Sequence, residues 1–245
     1  MDSGYYAAMT GLVARAQALD TAAVNLANIQ TPGYRAEREY FRSVLLGPDD
    51  NDSQLGEAVN RFGLLGGNRL SGDQGPLQRT GNSLDLAIEG DGFFAIQTAK
   101  GVRYTRDGSF HRSEAGILVN GANEPVLSST RANILLPPGN ASIGADGVLS
   151  VDGGASAVVG IFRFPAGTQL RAEGSNRYIV QGNVRAELSR GAVVHQGSLE
   201  GANEDVVRGS LDLIIMQRQA EMMQKALTAF HTDFNKTASE DLPKI

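Results

Sequence analysis

The sequence predicts an α+β protein in which mainly antiparallel β-structure is inserted between an N-terminal and a C-terminal α-helix that pair as a coiled coil. Two observations predict this fold class. Apolar residues recur with heptad spacing near each end of the 245-residue chain, and glycine and turn-forming dipeptides are concentrated between the ends. We therefore expect an N-terminal arm at 1–35, an extended or looping connector at 36–83, a β domain at 84–200 and a C-terminal arm at 201–245.

The N-terminal arm carries one apolar stripe along its length. Its members are spaced alternately by four and three residues, as the core positions of a heptad are. They are Tyr5, Met9, Leu12, Ala16, Leu19, Ala23 and Leu26. Pro32 and Gly33 follow, and both residue types commonly end helices. The spacing predicts a helix that packs through this stripe.

The middle of the chain is rich in glycine. All but three of the 30 glycines lie between residues 47 and 209. Several follow Asp or Asn, which together with glycine favour tight turns because they tolerate positive φ. Short runs of β-branched and aromatic residues lie between these turns, as at 93–96, 102–105 and 158–162. This pattern predicts antiparallel strands that are short.

The C-terminal arm repeats the spacing of the N-terminal arm in a second stripe. Its members are Leu213, Met216, Ala220, Met223, Leu227, Phe230 and Phe234. A simpler interpretation is that each arm is an ordinary amphipathic helix on a globular core. Two matched stripes at opposite ends favour pairing, because the alanines of one helix accommodate the larger side chains of the other. Any apolar surface left over would then contact neighbouring subunits.

Composition excludes several classes of protein. With 22 Lys and Arg against 27 Asp and Glu, the net charge is -5, which does not favour nucleic acid. No stretch approaches the roughly 20 apolar residues of a membrane-spanning helix. The chain contains no cysteine, so disulfides and thiolate metal sites are excluded. The first residues, Met1 to Gly4, do not resemble a secretory signal peptide.

Three blocks of sequence resemble the bacterial flagellar rod and hook proteins. The blocks are Asn25-Leu26-Ala27-Asn28 with Thr31-Pro32-Gly33-Tyr34-Arg35; Leu84-Asp85-Leu86-Ala87-Ile88-Glu89-Gly90-Asp91-Gly92-Phe93-Phe94 with Tyr104-Thr105-Arg106-Asp107-Gly108-Ser109-Phe110; and Gln196-Gly197-Ser198-Leu199-Glu200-Gly201-Ala202-Asn203. They are similar, in the same order, to the family's N-terminal signature, its central β-domain motif and the segment that opens its last helix. The pair Gln217-Arg218 matches that helix too. The chain departs from the family's pattern at Val24, Ala202, Glu204 and Ala220.

The resemblance implies a structural subunit of the flagellar basal-body rod, the shaft that crosses the periplasm and transmits torque from motor to hook. Chain length and the short start favour the proximal rod, with the distal rod as the alternative. Family members leave the cell through the flagellum's own type III export apparatus and pack their terminal helices into the inner tube. The implied partners are copies of this chain and other rod and hook-basal-body proteins. Nucleic acid, membrane insertion and a small-molecule substrate are not expected.

The sequence offers weak alternatives to a structural role. Residues 90–95 fit the glycine pattern of a dinucleotide site, but a strand is expected there instead of the required helix. The acidic run at 49–52 lacks the glycine and glutamate of a calcium loop. Turn carboxylates such as Asp91 and Asp107 could serve a wall-cleaving hydrolase, although turn formation explains them more simply. A free-standing extracellular coiled-coil protein is a third alternative. We predict no catalytic, cofactor-binding or metal-ligating residues and no cofactor, and hence no enzyme.

Overall fold

The computed structural model describes residues 2–42 and 64–240 and has two long helices at the ends of a strand-rich chain. Helix α1 spans Asp2–Ala27 and helix α2 spans Val206–Glu240. The strands are β1 Glu37–Arg42, β2 Leu64–Leu70, β3 Leu77–Arg79, β4 Leu86–Glu89, β5 Phe93–Thr98, β6 Gly101–Thr105, β7 His111–Arg112, β8 Leu118–Val119, β9 Ala141–Ile143, β10 Val148–Val151, β11 Gly154–Val158, β12 Ile161–Arg163, β13 Leu170–Ala172, β14 Tyr178–Val180, β15 Glu187–Leu188, β16 Val193–Gln196 and β17 Ser198–Glu200.

The predicted fold class is confirmed at the level of the elements. The structure is α+β, with mostly antiparallel strands between one N-terminal and one C-terminal helix. Strands β1 to β3 lie within the range predicted as the connector. The acidic run at 49–52 lies outside the described residues. Pairing of the helices as a coiled coil stays a prediction.

The chain forms two compact units. The first, which we call the helical unit, comprises Met1–Ala27, Glu37–Asn68 and Val206–Ile245. The second, the β unit, comprises Asn28–Ala36 and Arg69–Asp205. The segments that follow α1 and precede α2 in the chain therefore both belong to the β unit.

A six-stranded antiparallel sheet with the order β13-β14-β6-β5-β12-β15 is the largest in the described part of the β unit. Strand β5 lies between β6 and β12 in this sheet, and its two faces contribute side chains to two apolar clusters. Phe94 and Ile96 belong to the larger cluster, whereas Ala95 belongs to the smaller one with Tyr104 and Phe162. Alternation with a period of two places successive side chains on opposite faces of a strand. The Phe94 and Phe110 rings meet edge to face with centroids 5.0 Å apart.

In the helical unit, α1 and α2 pack against each other and α1 also contacts β1. Helix α1 is rich in Ala, and α2 contains several Ala, Leu, Met and Gln residues, all of which favour helix formation. Asp205 directly precedes α2, where Asp is a favoured N-cap residue. None of the helices in the described part of the chain combines the length and the apolar character needed to span a membrane.

Candidate functional site

The predicted stripe of α2 lies on the least exposed face of that helix. Leu213, Met216, Ala220 and Met223 are half-buried, and Leu227 is buried with 9% of its surface exposed. The side chains of Phe230 and Phe234 lie outside the described part of the structure. Because α2 packs against α1, this stripe is the inner surface of the helical unit.

The most buried stripe of α1 lies one position away from the stripe that we expected. It consists of Gly11, Ala14, Ala18, Thr21 and Asn25, again with steps of three and four. The predicted Leu12, Leu19 and Leu26 are half-buried at its edge, whereas Met9, Ala16 and Ala23 are exposed; the Tyr5 side chain lies outside the described part. Small side chains allow neighbouring backbones to approach closely, which accounts for this inner face. Binding of partners by the predicted residues stays a prediction.

Asn25 has a specific local role in the N-terminal motif. Its side-chain amide donates a hydrogen bond to the Glu37 carbonyl (2.8 Å), and its Oδ1 accepts one from the Glu37 N–H (3.0 Å). The Asn25 side chain thus binds the Glu37 backbone as a peptide group of a neighbouring strand would, and it joins the end of α1 to the start of β1. Asn68 adds hydrogen bonds to Thr21 (3.3 Å) and to the Glu37 carboxylate (3.0 Å).

The rest of that motif forms a turn in the β unit. The Thr31 N–H donates to the Asn28 carbonyl (2.9 Å), and Gly33 has φ of +66°. The Gly33 N–H then donates to the Glu200 carbonyl (2.6 Å), so the N-terminal motif contacts the C-terminal one. Asn176 donates to the Pro32 carbonyl. Of the other motif residues, Leu26 is half-buried and Ala27 is exposed.

The glycines of the central motif form the turn between β4 and β5. Gly90 and Gly92 both have positive φ, at 90° and 150°. Phe93 and the residues after it form the strand β5, as the sequence predicts. A dinucleotide site would require a helix at this place. The Asp91 carbonyl accepts a hydrogen bond from the Ser189 hydroxyl (2.8 Å). Elsewhere, the Asp107 and Asp146 carboxylates accept backbone N–H groups two residues later, which is turn chemistry.

Three charged residues, one from each sequence block, meet in the β unit. Both oxygens of Glu200 are used: Oε1 lies 3.0 Å from Arg35 Nη2 and Oε2 lies 2.8 Å from Arg106 Nη1. The Gly75 N–H also donates to Oε1 (3.0 Å). Exposure is 4% for Arg35, 3% for Arg106 and 1% for Glu200. We call these three residues the motif triad.

The two arginines of the motif triad also bind backbone carbonyls. Arg35 donates to the carbonyls of Gly72 (2.8 Å) and Asp73, and Arg106 donates to those of Ile88 (3.1 Å) and Gly90 (2.6 Å). Burial lowers the pKa of Arg106, while the Glu200 carboxylate opposes that change. The guanidinium also lies 5.3 Å from the centroid of the Phe93 ring. Sequence reasoning missed the triad, although each member stands inside a recognised block.

Tyr178 supports the triad from the smaller apolar cluster. Its hydroxyl accepts a hydrogen bond from the Arg35 N–H (3.1 Å), and its ring packs on Phe93 with centroids 5.9 Å apart. Burial raises the pKa of Tyr178 well above its ordinary value of 10.0, and the hydrogen bond from Arg35 opposes the rise only in part. The neutral phenol is therefore the form that the folded β unit accepts.

We expect Tyr178 to make stability fall in alkali. Above the ordinary tyrosine pKa the unfolded chain releases a proton that the folded chain retains, so the free energy of unfolding decreases as pH rises toward the folded pKa. Unfolding by urea between pH 10 and 11 should show a slope steeper by up to about 1.4 kcal/mol per pH unit in the wild type than in Tyr178→Phe. At pH 8 the variant should be less stable, since the Arg35 N–H loses its acceptor. Equal alkaline slopes would contradict this role.

Two of the three histidines make exposed polar contacts. His195 lies 2.6 Å from Glu89, but both side chains are exposed. His111 is exposed and lies 3.4 Å from Asn123. Among the described residues, three or more His, Asp or Glu side chains do not gather in a way that could hold a metal ion.

Two family models match the chain. The model described as "Flagella basal body rod protein" matches residues 6–35, and that described as "Flagellar hook protein FlgE/F/G D1 domain" matches residues 87–151. The first range covers most of α1 and the turn to Arg35, and the second covers much of the larger apolar cluster.

Relatives match over nearly the whole chain. The "Flagellar basal-body rod protein FlgF" of Caulobacter vibrioides is 32% identical over 100% of both chains, and the protein of that name from Mesorhizobium japonicum is 34% identical over 90% of each. The "Flagellar basal-body rod protein FlgG" of Bacillus subtilis is 30% identical over 91% of this chain and 93% of its own length.

Proposed function

The chain belongs to the family of flagellar basal-body rod proteins, and we propose that it is a structural subunit of the rod that assembles through its terminal helices. The resemblance seen in the sequence motifs is confirmed by this membership. Relatives named FlgF reach 32–34% identity and the FlgG relative of Bacillus subtilis 30%, which supports a subunit of the FlgF type in the proximal rod.

The outer face of α2 is the observation that supports assembly most directly. It carries an apolar stripe on the side opposite to the one that packs in the helical unit. The stripe consists of Val207, Leu211, Ile214, Ile215 and Met222, and between 48% and 68% of each residue is exposed. Large apolar side chains that share one exposed helix face commonly mark an interaction surface, because their contact with water costs free energy; the exposed Arg218 lies on the same face. Neighbouring subunits would cover it.

Helix α1 supports the same proposal with a different surface. Met9, Val13 and Val24 are exposed, at 40%, 52% and 52%, together with Ala16 and Ala23. Small and β-branched residues on α1 complement the larger Leu, Ile and Met side chains on the outside of α2. A contact between unlike surfaces on successive copies gives a ring if its rotation closes. If the rotation does not close, the contact generates a helical filament. We propose that torque passes along such a filament.

Location and mode of action follow from membership of the rod. We propose a position in the periplasmic part of the basal body, export by the flagellar type III apparatus, and contacts with copies of this chain and with other rod and hook proteins. The role is mechanical and not enzymatic. No cofactor, nucleic acid, small-molecule substrate or inserted membrane segment takes part in it.

Two negative charges introduced on the exposed apolar stripe of α2 test the proposal. Leu211→Glu/Met222→Glu places two carboxylates, eleven residues apart, on the exposed apolar stripe. The free energy of unfolding of the purified chain should change by less than about 0.5 kcal/mol for each substitution, because both positions are exposed. Cells that carry only this variant should not swim in soft agar, and their purified basal bodies should lack the subunit.

The matched control is Gln224→Glu/Thr232→Glu. It adds the same charge to exposed polar positions of α2, and it should leave swimming intact. Normal swimming of the Leu211→Glu/Met222→Glu strain would show that the stripe does not mediate assembly.

A further inference from the structure

The motif triad lies where the two segments that join the β unit to the helices pass side by side. We call residues 28–36 and 201–205 the junction segments. The Gly33 N–H donates to the carbonyl of Glu200 (2.6 Å), and the Asn203 N–H donates to that of Tyr34 (3.3 Å). The Asn203 side chain accepts from the Ala36 N–H (2.7 Å) and donates to the Asp73 carbonyl (2.8 Å). The segment that follows α1 and the segment that precedes α2 are therefore hydrogen-bonded to each other.

Apolar packing gives the junction segments little to define their path. Ala36 and Ala202 are their buried apolar side chains among the described residues, and both are small. A segment with few distinctive side chains can slip by a residue without much loss of burial, as glycine-rich or polar strands can. Directional hydrogen bonds distinguish the correct path from the others.

The motif triad supplies such bonds, but its arrangement does not favour a large net contribution to the stability of the fold. It buries two cations with one carboxylate, and the Nε atoms of both Arg35 and Arg106 are buried without a hydrogen-bond partner in the described structure. Removing charges from water in this way offsets most of the attraction between them. Four of the guanidinium hydrogen bonds go to backbone carbonyls on the 72–73 and 88–90 segments, which fixes backbone position.

We propose that the motif triad is a register lock, which selects one path for both junction segments and contributes little to the stability of the β unit. The positions of Arg35, Arg106 and Glu200 serve this selection, because Glu200 holds one guanidinium with each carboxylate oxygen. The two apolar clusters stabilise the fold. This inference concerns the isolated chain and does not depend on assembly through the helices.

Replacement of the whole triad by apolar residues separates the two roles. In the full-length variant Arg35→Met/Arg106→Met/Glu200→Leu, no buried charge is left without a partner, and the melting temperature should stay within about 5 °C of the wild type. Hydrogen exchange at the Gly33, Ala36, Gly201 and Asn203 amides should nevertheless be at least about tenfold faster, while β5 keeps its protection. The control Arg163→Met/Glu187→Leu, which replaces an exposed ion pair, should change neither quantity.

Two results would overturn the proposal. If the junction amides kept wild-type protection in the triple variant, packing alone would set their path. If the melting temperature fell by more than about 5 °C and β5 lost protection as well, the triad would be a stabilising element of the β unit. A second variant, Glu200→Met/Arg106→Leu/Arg35→Leu, repeats the test with different shapes, so that poor packing in one variant does not decide the outcome.

Discussion

Gly33→Ala should destabilise the β unit by about 4 kcal/mol or more. Gly33 stands at φ of +66°, which already disfavours a side chain. A Cβ at this position would also come within 3.0 Å of the backbone atoms of Arg106 and Asp107, and backbone cannot swing aside as a side chain can. The substitution would push the N-terminal motif away from the central one and strain the Gly33 hydrogen bond to Glu200. Urea unfolding followed by circular dichroism measures the loss.

Gly81→Ala is the matched control for that substitution. Gly81 also has positive φ, +80°, but a Cβ there would meet nothing within 4 Å. The control therefore carries the backbone penalty of about 1–2 kcal/mol without the clash. The difference between the two variants isolates the close approach of the motifs. Equal losses in the two variants would show that the backbone conformation alone makes glycine necessary at position 33.

Glu200→Ala should cost about 3–5 kcal/mol of unfolding free energy, the usual penalty for leaving a buried charge without its partner. Two guanidinium groups would lose their counter-ion, and the Gly75 N–H would lose its acceptor. This loss does not contradict a small net contribution from the intact triad. Deleting one member leaves the other two charges buried without their partner. Replacing all three removes the buried charges and with them the free-energy cost of taking those charges out of water.

Glu187→Ala provides the comparison at the surface. Glu187 lies 3.5 Å from Arg163, and its side chain is 63% exposed. Water screens this pair, so the substitution should change the free energy of unfolding by less than about 1 kcal/mol. Urea unfolding of both variants in the same buffer measures the contrast. A loss of under 1 kcal/mol for Glu200→Ala would mean that the triad relaxes freely when the carboxylate is removed.

The family relationship gives these residues a context in the rod. Gly33 and Arg35 lie on the junction segment that follows α1, and Glu200 directly precedes the one that leads to α2. These two segments join α1 and α2 directly to the β unit, so we expect part of any load on either helix of a rod subunit to pass along them. A single backbone path there suits a structural subunit, and the exposed stripe of α2 provides the surface through which we propose that the load reaches its neighbours.

The sequence by itself determined the elements and the family. Glycine content and heptad spacing are local properties, so they correctly placed two helices around a strand-rich middle, and the turn aspartates Asp107 and Asp146 were predictable for the same reason. The less exposed face of α2 contains large apolar residues such as Met223 and Leu227, which a heptad pattern detects easily, and their role in binding partners stays a prediction. Three ordered motif blocks were sufficient to recognise the family.

Only the tertiary structure decided which face of α1 lies inside and which charges meet. A heptad gives spacing, but the inner face depends on how closely the partner approaches, and in α1 it belongs to small residues such as Gly11 and Ala18. Arg35, Arg106 and Glu200 are far apart in sequence, and each looks like an ordinary polar residue in its own block. They form the motif triad because the chain folds back on itself, and long-range electrostatic contacts leave no local pattern.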